Sequence, residues 1–99
     1  MKAFKLLRVR HDGTLGPLFI NRKQIIPLNV WLPAEDHITK GYAHRPGWHV
    51  TSNPYAPHLS MKGRKWYHVE VTDATELKRP ASQGGVWWIA KQMKVLGQV

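Results

Sequence analysis

The chain has 99 residues, no cysteine and a net charge of +9, from fifteen Lys and Arg against six Asp and Glu. That length makes one domain, spanning 1–99. The missing thiols exclude a disulfide framework and a thiolate metal centre, and no apolar run approaches the about 20 residues of a membrane-spanning helix.

The opening Met1-Lys2-Ala3-Phe4-Lys5-Leu6-Leu7-Arg8 interrupts its apolar residues with charges. A secretory signal needs an unbroken apolar stretch, so a cytoplasmic setting is expected. Ala3 to Arg10 reads as a strand that ends at the Asp12-Gly13 turn signal, followed by a short extended piece, Leu18-Phe19-Ile20. Gln24-Ile25-Ile26-Pro27-Leu28 is β-branched and closed by proline, which suits a strand or an edge segment. Asn29-Val30-Trp31-Leu32 continues it after a turn. Pro33-Ala34-Glu35-Asp36 is able to start one helical turn, which Gly41 and Pro46 keep short.

Trp48-His49-Val50 predicts a short strand running into a turn at Thr51-Ser52-Asn53-Pro54, and Tyr55 to Met61 a helical turn. The clearest strand is Lys65-Trp66-Tyr67-His68-Val69-Glu70-Val71. Its alternation puts Trp66, His68 and Glu70 on one face and Tyr67, Val69 and Val71 on the other. Asp73 to Arg79 reads as a loop or short helix, and Gln83-Gly84-Gly85 breaks the chain. Val86–Ala90 is expected to form a brief helical turn, with a strand from there to the C-terminus. Together these elements predict an α+β fold: a small, mainly antiparallel β domain with short helical turns and long Pro/Gly loops.

The positive charge is uneven. Residues 1–30 set Lys2, Lys5, Arg8, Arg10, Arg22 and Lys23 against Asp12, and residues 61–99 are again basic. Between them, Lys40 and Arg45 balance Glu35 and Asp36. A field of this sign favours nucleic acid or an acidic protein as partner. Lys and Arg neutralise phosphates while aromatic rings stack on unpaired bases. Arg64-Lys65-Trp66-Tyr67-His68 interleaves the two residue types. Arg22, Lys23, Lys62, Arg64 and Lys65 are therefore the candidate nucleic-acid contacts. The structural alternative for Trp31, Trp66, Trp87 and Trp88 is core packing.

The run Ala43 to Ser60 holds the densest chemistry, with His44, His49, His58, Arg45 and Trp48 fixed among prolines and Gly47. Arg45 offers a bidentate donor, His49 a titratable one, and Thr51 and Ser52 hydroxyls. Arg45, Trp48, His49, Thr51 and His58 are the candidate ligand-binding set, and a nucleotide or small anion is the ligand class. The three histidines lack the short spacings of a zinc site. Asp36-His37 with Asn53 and His58 follows the order of a His-Asn-His nuclease, but Pro54 and Pro57 stand where its helix must run. No serine has an elbow context, and no Walker or dinucleotide glycine pattern occurs. No catalytic residue, metal or cofactor is assigned, and binding is favoured over catalysis.

The segments Leu15-Gly16-Pro17-Leu18-Phe19-Ile20-Asn21-Arg22-Lys23, Trp31-Leu32-Pro33-Ala34-Glu35, Arg45-Pro46-Gly47-Trp48-His49, Ala56-Pro57-His58-Leu59-Ser60, Trp66 with Val69-Glu70-Val71, and Gln83-Gly84-Gly85-Val86-Trp87 carry a resemblance. With them the chain resembles a family of short uncharacterised proteins of tailed bacteriophages and prophages. That resemblance implies a phage protein acting in the bacterial cytoplasm. From Gly47 onward, the order Gly-aromatic-His, Asn53-Pro54, a Val-Glu-Val strand and a closing strand is similar to small domains of the ADP-ribosyltransferase-like fold. This second resemblance implies that Arg45 or His49 holds a nucleotide. It supplies no catalytic glutamate, since neither Glu70 nor Glu76 has the surroundings of one. Three functions follow as expectations: a non-enzymatic binder of nucleic acid or of a host nucleic-acid-handling complex, a nucleotide-binding domain of the ADP-ribosyltransferase-like fold, and an inhibitor that binds a host protein.

Overall fold

A computed structural model describes residues 1–18, 23–34, 47–83 and 85–99. Two long strands organise it. β1 (Lys2–Val9) pairs antiparallel with a strand at Arg64–Thr72, in register from Lys2 opposite Glu70 to Arg8 opposite Arg64. β2 (Leu15–Gly16) folds back on the end of β1 through the Asp-Gly turn, where Asp12 accepts hydrogen bonds from the Thr14 amide at 3.0 Å and hydroxyl at 2.7 Å. β3 (Trp31–Pro33) and β4 (Trp48–Thr51) follow, then β5 (Arg64–Thr72), β6 (Thr75–Leu77), β7 (Trp87–Ala90) and β8 (Gln92–Gln98). The spatial order is β3-β8-β5-β1-β4-β7-β6, every pairing antiparallel, with β2 on β1 beside this path.

The fold is therefore not α+β. Among the described residues there is no α-helix, only a 3-10 turn at Ala81–Gln83. The expected helical turn at Val86–Ala90 is strand β7. Trp87 and Ala90 are both buried because the strand carries apolar cover on two faces, and such burial imitates a helical stripe. The helical turn expected over Tyr55–Met61 is a series of bends and turns, closed by Leu59 N–H to Ala56 C=O. The loop or helix of 73–79 contains β6, entered through Asp73 at φ 54°. The strand expected at 24–28 is absent except for a single bridge from Leu28 to Val95, as Pro27 lacks the donor a ladder needs. Pro33 ends β3 rather than starting a helix, and Glu35, Asp36, Phe19 and Ile20 lie outside the described residues.

The sheet curls on itself. β3 and β4 are four strands apart, about 19 Å in a flat sheet at the usual spacing. Yet the Trp48 indole N–H on β4 donates to the Leu32 carbonyl on β3 at 3.0 Å. The inner face encloses the main core of Ala3, Leu7, Trp48, Val50, Tyr67, Val69, Val71, Ala90, Met93 and Val95, with Leu15 and Ile26 as its plug. A second, smaller core lies on the outer face, where Ala56, Leu59 and Leu18 cover Leu6, Trp66 and Trp87. Two cores explain why Trp66 and Tyr67, neighbours on opposite faces of β5, are both buried.

Candidate nucleic-acid interface

Among the described residues of the central run, the candidates lie in different surroundings. Trp48 and Val50 point to the main core, so His49, between them, lies on the opposite face of β4, half-buried. Thr51 is 0 % exposed, and its hydroxyl donates to the Val86 carbonyl at 3.1 Å. The Ser52 hydroxyl accepts from the Val86 amide at 2.9 Å, so Thr51 and Ser52 together clamp the chain entering β7. His58 meets Trp87 edge-on, ring centroids 5.7 Å apart. Partial desolvation, then the positive charge of Arg79, hold its imidazole below the usual range. Arg45 and His44 lie outside the described residues. Among the described residues no group of three or more His, Asp or Glu is placed to hold a metal ion.

The basic candidates do come together. Val9 N–H donates to Gly63 C=O at 2.9 Å, which fixes the turn before β5 against the end of β1. Lys62, Arg64 and Lys65 thereby share one end of the sheet with Arg8, which faces Arg64 across the pair. Arg10 reaches back from the same end to donate to the carbonyls of Leu15 at 2.8 Å and Gln24 at 2.7 Å. Its grip on Gln24 brings the adjacent, exposed Lys23 to this end as well. Arg22 lies outside the described residues. Among the described residues, Asp12 is the acid at this end. Glu70 stands at the far end of β5, and Asp73 and Glu76 lie beyond it.

The outer face away from this end holds groups that sequence reading missed. One row runs across the sheet through Gly97, His68, Phe4, Thr51, Trp87 and Leu77, each opposite the next on a neighbouring strand. The adjoining row runs through Trp31, Lys94, Glu70 and Lys2. The apolar layer covers the Trp87 side and leaves His68 exposed and Phe4 half-buried, with ring centroids 5.1 Å apart and planes at 47°. Trp31 is 39 % exposed, with the Lys94 ammonium 5.1 Å from its ring centroid. Glu70 faces both Lys2 and Lys94, so this row keeps a net positive charge. No local signal marks Phe4, and Lys2 registers only in the overall charge of residues 1–30; both occupy a strand that alternates only weakly. Their placement follows from the pairing of β1 with β5.

No helix among the described residues is long and apolar enough to cross a membrane. Comparison with protein-family models, with curated proteins and with solved structures finds no match to this chain.

Proposed function

We propose that the chain is a small, non-enzymatic nucleic-acid-binding protein of phage type, acting in the bacterial cytoplasm. The observation that carries the reading is the basic end of the sheet. Lys23, Lys62 and Lys65 are exposed there beside Arg8, Arg10 and Arg64, with Asp12 as the local acid among the described residues. The Asp12 carboxylate is already engaged by Thr14, whose hydroxyl and amide hold its pKa below the usual range. Such an end attracts phosphates without reading sequence.

A titration of binding against salt tests the reading. With labelled DNA and RNA at low ionic strength, log affinity should fall linearly with log salt, by about 0.7 to 0.9 per phosphate contact. Absence of binding to every nucleic acid at low salt overturns it and leaves an acidic host protein as the polyanionic partner, to be sought by affinity capture.

A further inference from the structure

We infer that the hollow between β1, β5 and β8 seats one unpaired base, which makes the protein selective for single strands. The inference rests on the nucleic-acid reading above and names the form of nucleic acid bound.

The hollow lies where the backbone register slips. Between His68 and Val69 the register with β8 slips, so that Gly97 faces His68, Val95 faces Val69 and Leu96 has no partner. A bulge of this kind disrupts the ladder and bends the strand locally. The space lined by these bulge residues and by β1 has a volume of about 450 Å³, within the roughly 300–1,000 Å³ of small-ligand sites. Phe4 and His68 form an aromatic wall, Leu96 adds an apolar side, and Gly97 leaves the floor open, since a Cβ built there meets nothing within 4 Å.

The chemistry of the lining selects the occupant. The walls are flat rings and aliphatic carbon, which suit the π-face of a base and supply little directional hydrogen bonding. Lys2 lines it too; although it stands opposite Glu70, Lys94 on the other side of Glu70 keeps the row net positive for the attached phosphate. From Phe4 to Arg8 along β1 is about 13 Å at the rise of a strand, so a strand held at the basic end lies within a few nucleotides of the hollow. Bases in a duplex are stacked and paired, and they cannot enter without being extruded.

The test uses the whole chain and four labelled probes of one length: single-stranded DNA, single-stranded RNA, duplex DNA, and a DNA strand of abasic sites. Wild type should bind the single strands more tightly than the abasic strand. Gly97→Leu fills the hollow at a position where φ is not left-handed and no charge changes. It should weaken single-strand binding about tenfold, from the loss of one stacked base. Duplex and abasic binding should stay within about twofold, as these rely on phosphate contacts alone. His68→Ala, at an exposed position, should reproduce the pattern if Gly97→Leu fails to fold. Equal binding of all probes by wild type, or an unchanged single-strand affinity in the folded variants, overturns the hollow and leaves the basic end standing. No binding of any probe overturns the nucleic-acid reading itself and the hollow with it. The DNA and RNA arms separate the two possible sources of the base.

Discussion

Lys5 and His49 lie on adjacent strands, and the Lys5 ammonium donates to the His49 carbonyl oxygen at 2.7 Å. Here β1 and β4 share only the Phe4–Thr51 pair, so a side chain supplies a link that the backbone ladder lacks. Lys5 is on the inner face, between Ala3 and Leu7, and its ammonium lies 5.9 Å from the centroid of the Trp48 ring. The carbonyl and the ring favour the charged form. Desolvation opposes them and dominates, lowering the pKa from 10.5 to about 8.

That shift predicts a pH dependence. Across the window from about 8 to 10.5 the unfolded chain keeps the proton that the folded chain has released. Stability therefore rises as pH increases through this window, and the desolvation penalty is fully present below it. Between about pH 7.5 and about pH 9.5 the Lys5 contribution is a gain of about 2 kcal/mol. Urea unfolding at the two pH values should show this gain in wild type and lose it in Lys5→Met, which keeps the bulk of the side chain without the charge. Equal pH dependence in both proteins would remove Lys5 as its source.

Gly47 shows that part of the central motif is structural. Its φ of 138° is a conformation that L side chains rarely adopt. An added Cβ would also lie 2.1 Å from Ile89 Cγ2 and 3.3 Å from the Ala90 carbonyl. Gly47→Ala should lower stability by about 2 kcal/mol or more, through backbone strain and overpacking together. Thermal melting followed by tryptophan fluorescence should register it, and a melting temperature equal to wild type would contradict the close approach of β4 and β7.

Thr51 separates a binding role from a clamping role. The sequence marks it as a candidate ligand contact, but the hydroxyl is buried and bonded to Val86 C=O. Thr51→Val keeps the shape and removes the donor, leaving that carbonyl without this hydrogen bond. The expected cost is about 1–2 kcal/mol of stability, with nucleic-acid affinity within about twofold of wild type at a temperature where both are folded. A loss of affinity without a loss of stability would restore Thr51 as a contact residue.

Several features were legible in the residues. The strand at 65–71 announced itself because its two faces differ: Tyr67, Val69 and Val71 enter the main core, while His68 and Glu70 face outward. The Asp12-Gly13 turn did so as well, through the φ of 85° that Gly13 adopts. The segment from Val86 to Ala90 was not legible. With Trp87 in one core and Trp88 packed on the other, its pattern is apolar throughout and has no period of two. The hollow was least legible of all. Phe4 and His68 meet only through strand register, and Gly97 matters through the side chain it lacks. The basic end falls between these cases. Lys62, Arg64 and Lys65 are adjacent in the chain, but Arg8 joins them by pairing and Lys23 by the Arg10 clasp on Gln24.

The basic end makes the last prediction. Lys62 and Lys65 are exposed and flank Arg64, which itself donates to Ser60 C=O at 3.1 Å and helps to hold the turn. Neutralising the two lysines leaves that turn intact, so Lys62→Gln with Lys65→Gln should change the melting temperature little. The effect should fall on binding. If each lysine neutralises one phosphate, the slope of log affinity against log salt on a single strand should become shallower by about 1.4. The loss should be largest at low salt and should shrink as salt rises, because both proteins then approach the same residual, uncharged binding. It should also be similar for every sequence tested, as phosphate contacts carry no base information. An unchanged slope in the folded double variant would place the phosphate contacts elsewhere on the molecule.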